Sequence, residues 1–434
     1  MTSNPSISAS QWAGELLEFI GADHQLSVEV SESAPIADWA RSGAVSITGT
    51  PIQLLTPPGF AATAARGALL AIDTLAGATG IPGELLLAER AALSKWPAKA
   101  PWTLGLHSRA VRTRDGWFAL SLAREIDQDS VPALIGAPTS HGWVSVDAWA
   151  RTITTQEAVD RCRLFGIPAG QIASVTGAEL MQLTSYGASL PRSLTGLRVV
   201  DLSALWAGPL CANLLQQAGA EVIRVESAQR PDGSRVGIPA FDDLLHAGQK
   251  SVTFDPANLD FLHALIDSAD IVITASRPRG LTSLELDPQA WLASRAHGVW
   301  VQISAYGSTG PEANWIGFGD DTAMAAGLVR WIDGIPIPIA DAVADPLTGM
   351  HAAVAAIALA QRGGAHLIDI SLANVAAATA GDAPASDPFL ADGQWQIETE
   401  YGIRPIEKPR ARTVLGTART LGADNQIMRA ELAR

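Results

Sequence analysis

The sequence predicts an α/β fold, a doubly wound parallel sheet joined to a smaller α+β domain, and three observations carry that expectation. Residues 194–226, LTGLRVVDLSALWAGPLCANLLQQAGAEVIRVE, read as strand, helix and strand in close succession. From there to residue 304, strand-length apolar runs alternate with helix starts. Residues 101–136 read differently, as a hairpin followed by helix, which is the pattern of an α+β unit.

In the main unit, Leu197 to Ser203 is an apolar run of strand length, and Ala207-Gly208-Pro209 opens a helix with proline in its first turn. That helix ends near Gly219, and Ala220 to Glu226 forms the next strand, so the connection predicts a right-handed parallel crossover. Further strands are expected at Gln249–Phe254, Asp270–Ala275 and Gly298–Ser304, with helices starting at Asp255-Pro256 and Asp287-Pro288. Residues 306–320, YGSTGPEANWIGFGD, form a glycine-rich loop. Ligands of such sheets sit at the carboxyl ends of the strands, where helix-start N–H groups can receive an anion. Ser203 to Pro209 is therefore the first place to look for a site.

Outside that unit, residues 8–21 predict a short amphipathic helix. Residues 36–93 align without a gap on 320–377: Gly43 falls on Gly327 and Val45 on Val329, an offset of 327 − 43 = 284. The same offset lays 65–80 on 349–364, and LLLAERAA (85–92) on the strand and helix beginning at Asp369. We read this as a duplicated helix–turn–strand–helix unit in which Ala61 stands where the later copy has Asp345. In the smaller domain, Arg114-Asp115-Gly116 makes a hairpin turn and 147–166 predicts one amphipathic helix; 176–193 reads as a linker. Residues 381–400 suggest a hairpin, and a short helix from Asp424 closes the chain. The expected organisation is 1–100 as a degenerate copy, 101–190 as the small domain and linker, 191–380 as the large α/β domain, and 381–434 as an extension.

Composition narrows the function. The chain has 434 residues, is 47% hydrophobic and 17% charged, and carries a formal charge of −14, so it predicts a folded protein without a nucleic-acid or anionic-membrane partner. Any anionic ligand has to be met by local cations, and these are mostly arginine; Lys250 is the one lysine from 194 to 380. Cys162 and Cys211 are the only cysteines, without a metal-binding or disulfide pattern. No apolar run reaches membrane-spanning length and the first residues lack a signal-peptide core, so the expected location is the cytoplasm.

Glu226, at the end of the second strand, invites a nicotinamide-cofactor reading, because an acidic residue there can bind a ribose diol. The first turn, Ser203-Ala204-Leu205-Trp206-Ala207-Gly208-Pro209, argues against it: it lacks GxGxxG, and Trp206 and Pro209 obstruct a pyrophosphate. The ordered series formed by 194–226, PDGSR (231–235), LLHAGQKSVTFD (244–255), ADIVITASRPRGL (269–281), ISAYGSTGP (303–311), DPLTGMHAAVAAIAL (345–359) and LIDISLANVAA (367–377) resembles the family III CoA-transferases. RTRDGWFALSL (112–122) and VDRCRLFGIPAG (159–170) resemble that family's small domain, which here precedes the large one instead of following it.

The resemblance implies an enzyme that moves CoA between an acyl-CoA and a carboxylic acid through a covalent aspartyl intermediate, with coenzyme A as part of the substrate and no metal. It implies a homodimer, or a subunit of a larger assembly. The alternatives are a non-catalytic CoA-ester-binding subunit and a racemase or isomerase of the same superfamily. The position matching the nucleophile is Asp345, and a helix start would keep its carboxylate ionised; Asp before Pro is equally an ordinary helix cap. Asp320 and Asp321 occupy the region where the racemase branch carries a His-Asp pair, and read either as an acid–base pair or as helix caps. Matching positions for CoA are Trp206, Ala207, Gly208, Lys250, Arg277, Tyr306 and Gly307, with Arg235 as a weaker candidate. The loop from Ser304 to Gly310 is expected to offer N–H groups to an oxyanion. His351, inside a helix, reads as structural.

Overall fold

A computed structural model of the chain describes residues 7–22, 26, 34–77, 79–138, 142–177, 179–188, 190–382 and 386–433. At its centre lies a seven-stranded sheet built from Met181–Gly187 (β1), Arg198–Asp201 (β2), Glu221–Ser227 (β3), Lys250–Phe254 (β4), Ile271–Thr274 (β5), Gly298–Ser304 (β6) and Ala365–Ser371 (β7). The order across it is β1-β7-β6-β5-β2-β3-β4, and every pair is parallel except β1 with β7. Strands β2, β3 and β4 step out to one edge; β5, β6 and β7 step out to the other. The sheet is thus doubly wound, with its topological switch between β2 and β5. Both faces are covered, which is why β5 and nearly all of β6 are buried and read as continuous apolar runs.

Three local expectations need correction. The presumed linker contains β1, an antiparallel edge strand paired from Met181↔Ile370 to Ser185↔His366. Its polar residues disguise it, since an edge strand covered on one side needs few apolar ones. Asp255-Pro256 opens a turn and not a helix: Asp255 accepts the Ala257 N–H at 3.0 Å, and the helix begins only at Asp260. The single helix expected over 147–166 is two, Gly142–Ala150 and Thr155–Leu164, because Thr154 and Glu157 form a capping box that restarts the helix.

The small domain is α+β. Ser108–Arg112, Trp117–Ser121 and Ala169–Gln171 form an antiparallel sheet turned at Arg114–Gly116, and its helices pack on it through Phe118, Leu120, Val159 and Cys162.

The N-terminal region consists of helix Pro35–Ser42, a short hairpin (Gly49–Thr50 with Gln53–Leu54), helix Ala61–Ala76, a 3-10 turn Gly83–Leu87 and helix Glu89–Ser94. The stretch from 319 runs helix Gly319–Ala325, hairpin Val329–Ile332 with Ile335–Pro338, helix Ala344–Arg362, β7 and helix Leu372–Thr379. The expected second strand at 85–92 does not form. Gly83 lies against the backbone of Ala65, where a Cβ would collide with the carbonyl group, so the segment crosses the helix and joins no sheet. Ala61–Ala76 packs on both Ala9–Ile20 and Ala344–Arg362. Its Ala68, Leu69, Ile72 and Leu75 are buried, as are Ala352, Ala353, Ile357 and Leu359 of the later helix. Trp12 donates to His351 Nε2 at 2.9 Å, and His351 Nδ1 lies 2.7 Å from the Leu347 carbonyl, so that histidine is a core residue. Among the described residues no helix is long and apolar enough to cross a membrane.

Candidate active site

A cavity of about 380 Å³ opens at the switch point of the sheet. Its walls are the turns that follow β2 (Ala207, Gly208), β5 (Ser276, Arg277) and β6 (Ser304, Ser308), together with Asp345 and, from the small domain, Arg124. The β2 turn is held in an unusual shape: Leu205 has φ of 69° while its N–H is shared between the two oxygens of Asp232 at 3.2 Å each. Asp232 is fixed in turn by Arg224 at 2.9 Å. This arrangement exposes the start of helix Ala207–Gln217 to the cavity and folds Trp206 underneath it, 1% exposed.

Asp345 is the second residue of helix Ala344–Arg362, and two glycines let it reach the cavity. A Cβ on Gly349 would lie 2.5 Å from the Ala207 carbonyl oxygen, so glycine permits the close crossing of the two helix starts. A Cβ on Gly319 would lie 2.5 Å from Asp345 Oδ2 and would also collide with the Ala342 oxygen. The carboxyl group is therefore wedged against backbone on one side and open to the cavity on the other. The expectation that the helix start keeps it ionised is incomplete. Burial, with Asp320 and Asp341 adding to it, pushes Asp345 up to about 7, against the opposing pull of Arg90 and of a hydrogen bond from the Gly319 amide. A carboxyl poised there is half ionised near neutrality, which suits a nucleophile that must also act as a leaving group.

Asp320 and Asp321 stand behind Asp345 and do not line the cavity. Asp320 accepts the Ala342 N–H at 2.9 Å and is raised to about 6 by burial and by Asp341. Asp321 is buried, accepts the Phe318 N–H at 2.8 Å as the helix cap, and is raised well above the usual carboxylate range by burial. Its other oxygen and the Tyr306 hydroxyl have no well-aligned hydrogen-bond partner among the described residues. The two groups are near enough that Asp321 adds to burial in raising the Tyr306 hydroxyl. Of the two sequence readings of the acidic pair, capping is seen for Asp321, and neither carboxyl lines the cavity as an acid–base pair would.

The CoA-matching positions divide. Ala207, Gly208 and Arg277 line the cavity, whereas Trp206 supports it from below. Lys250 does not belong to the site: it begins β4, at the opposite end of a parallel sheet, and its Nζ is 2.5 Å from Glu221 Oε1. Arg235 is also committed elsewhere, to Glu226, with Nε to Oε1 at 2.9 Å. Glu226 itself is 5% exposed and further engaged by Arg224 at 3.2 Å and by the Asp232 N–H at 2.9 Å, so it offers nothing to a ribose diol. The Gly307 N–H is spent on Ser304 Oγ at 3.0 Å instead of facing an oxyanion. Tyr306 turns toward the small domain: a Cβ on Gly170 would lie 2.6 Å from its hydroxyl, and its ring meets Trp315 edge-on, 5.6 Å between centroids.

Sequence reasoning missed the rest of the cationic rim. Arg230, Arg277 and Arg279 line the cavity mouth with Arg124. Burial lowers Arg277, and the charges of Arg279, Arg124 and Arg230 lower it further, so the rim is a concentration of positive charge on an acidic protein. Arg279 shares the SRPR stretch with Arg277 and was within reach of the sequence; Arg124 and Arg230 are brought in only by the tertiary fold.

The model of the family "CoA-transferase family III" matches residues 194–406, the stretch that carries this site. Over residues 194–406 the chain is similar to the family III CoA-transferases. Succinyl-CoA–D-citramalate CoA-transferase of Chloroflexus aurantiacus is 32% identical over 200 residues, covering 42% of this chain and 50% of that protein. Succinate–glutarate CoA-transferase of Agrobacterium fabrum is 30% identical over 208 residues, 43% of this chain and 52% of that protein. Among solved structures, a CAIB/BAIF family protein from Brucella suis is similar at 25% identity and a TM-score of 0.42, over 49% of this chain and 65% of that one. The chain spans about half the length of the curated relatives it matches. The matched stretch therefore contains six of the seven strands of the large sheet and most of the cavity lining, while β1 and Arg124 lie before it.

Proposed function

We propose that this chain transfers CoA between an acyl-CoA and a carboxylic acid, with Asp345 as the covalent nucleophile. The observation that carries the reading is the position of Asp345: its carboxyl opens into the cavity at the switch point of the sheet, under a rim of arginines suited to phosphates. An Asp345 oxygen adds to the thioester carbonyl carbon, the C–S bond breaks, and CoA leaves as the thiolate with an acyl-aspartyl anhydride remaining. The thiolate then attacks the Asp345 side of the anhydride, which releases the donor acid and leaves an aspartyl-CoA thioester. The acceptor carboxylate attacks that thioester, and the returning thiolate takes the acceptor acyl group and frees Asp345. Each step exchanges one acyl–oxygen or acyl–sulfur bond for another, so no redox partner is required. The family III match and the CoA-transferase names of the relatives support this reading over a nicotinamide enzyme. The small domain, through Arg124, supplies part of the rim.

Incubation with a panel of acyl-CoAs, trapping with hydroxylamine and peptide mass spectrometry tests it. The expected result is a hydroxamate on the peptide containing Asp345; unmodified Asp345 across a panel that labels a known transferase would overturn it.

A further inference from the structure

The carboxyl cluster around Asp345 is completed from outside the matched stretch. Arg90, on helix Glu89–Ser94 of the N-terminal region, reaches Asp341 through both Nε (2.9 Å) and Nη2 (2.5 Å). Its guanidinium carbon also lies 4.8 Å above the ring of Trp206, beneath the β2 turn. A planar cation gripped on its edge by a carboxylate and on its face by an indole is fixed in place. Asp341 is fixed as well: it is 1% exposed, and the residues on either side, Ala340 and Ala342, hold left-handed φ values of 53° and 44°. Thr48, from the same N-terminal region, receives the Ala340 N–H at 2.9 Å. The loop that leads into the nucleophile helix is therefore braced by the first hundred residues.

We propose that Arg90 is a positioning residue for the Asp345 nucleophile, supplied by the N-terminal region: held by Asp341 and Trp206, it is the fixed cation that keeps the Asp345 carboxyl in the ionised, attacking form. The inference rests on the transferase reading for its consequence in catalysis, though not for its electrostatics. The charged and titratable groups packed against Asp345 are Asp320 and Asp321 from helix Gly319–Ala325, Asp341 from the loop before its own helix, and Arg90; Tyr306 faces Asp321 from the loop after β6, and the rim arginines Arg124, Arg230, Arg277 and Arg279 share the cavity into which Asp345 opens. Among the groups packed against it Arg90 alone is cationic. Without it, three buried carboxyls would surround a fourth, and the proton would stay on Asp345 at neutral pH.

The test follows the Asp345 carboxyl directly, by carbon-13 NMR of the full chain labelled at the aspartate carboxyl carbon, the resonance being assigned by its loss in Asp345→Asn. In Arg90→Met the titration midpoint is expected to rise by at least about one pH unit, so that the ionised fraction at pH 7 falls several-fold to about tenfold. Arg90→Lys, which keeps the charge, should stay closer to the parent midpoint than Arg90→Met does. In Asp341→Asn, where one anion is lost and Arg90 is released toward Asp345, the midpoint should fall. Opposite shifts from the two ends of one ion pair are not produced by general loosening, which would move both the same way. An unchanged midpoint in folded Arg90→Met, or an upward shift in Asp341→Asn, overturns the proposal; if Arg90→Met does not fold, the Arg90→Lys and Asp341→Asn titrations decide it. Acyl trapping on the same samples separates the two ideas: the expected titrations without any Asp345 adduct would sink the transferase reading and leave the role of Arg90 standing.

Discussion

Residues 35–94 and 319–379 share a succession of helix, hairpin, long helix and short helix, and an offset of 284 lays the three helices of the first on those of the second, while the 3-10 turn Gly83–Leu87 falls on strand β7. They differ in charge around the cavity. The later stretch gathers Asp320, Asp321, Asp341 and Asp345; the same offset lands on Ile36, Ala37, Pro57 and Ala61. Conversely, Arg90 of the earlier stretch falls on Asn374 of the later one. We propose that the two are copies of one unit, of which the later kept the acidic centre and the earlier supplies its counter-charge. The difference teaches that a scaffold can be duplicated while the site is divided, with the anions on one copy and the cation on the other.

The sharpest way to break this comparison is to remove the anion that distinguishes the copies. Asp345→Ala is expected to lower transfer by about 10³-fold or more with circular dichroism unchanged, because the covalent route is lost outright; residual transfer within tenfold of the parent would contradict the assignment. The reciprocal change, Ala61→Asp, buries a carboxyl where the native residue is 0% exposed. It should cost about 3 kcal/mol of stability, measured by denaturant unfolding, and produce no second labelled aspartate. A hydroxamate on the peptide that carries the Ala61→Asp change would mean that the earlier copy still holds a competent site.

The pH response should also belong to one copy. Asp345 and Asp320 are raised in the folded state to about 7 and about 6. Raised carboxyls favour folding while protonated, so their contribution is complete below the unfolded value near 4 and is lost as pH rises through about 6 to 7. Discounted for the opening of Asp345 to the cavity, the fall between pH 5 and pH 8 should be about 1–2 kcal/mol per group. Asp345→Asn should flatten it in thermal unfolding, while the activity of the parent rises over the same window as Asp345 ionises. A stability profile identical in the variant would place the titration elsewhere. The smallest effect concerns two cations of the large domain: Arg277→Ala should raise KM for acyl-CoA several-fold, whereas Lys250→Ala, at the far end of the sheet, should leave KM unchanged and stability within about 0.5 kcal/mol. Equal effects on KM would mean that the cavity rim is not the phosphate site.

Much of the large sheet was legible because its strands are buried on both faces and its helix starts carry proline; β2, β3, β5 and β6 stand within a residue or two of their expected positions. The edge strand β1 was not legible, since its polar sequence makes sense only beside β7. Asp345 was visible through the DPLTGMH pattern, and Arg277 through its place in SRPR. Lys250 failed because resemblance supplies a residue type without saying at which end of a strand the side chain emerges. Arg90 and Asp341 escaped for a deeper reason: their pairing joins positions 251 apart, and no local pattern in either segment announces it.

The packing of helix Ala61–Ala76 on Ala344–Arg362 has a consequence for how the chain comes into being. During synthesis the small domain can close on neighbours of its own, whereas the part of the Ala61–Ala76 surface that Ala9–Ile20 leaves uncovered has to wait some 280 residues for helix Ala344–Arg362 to emerge. Helix Ala61–Ala76 is thus among the last elements to complete its burial. Nascent chains stalled before residue 344 should present that face to chaperones, and it is the arrival of helix Ala344–Arg362 that takes it away.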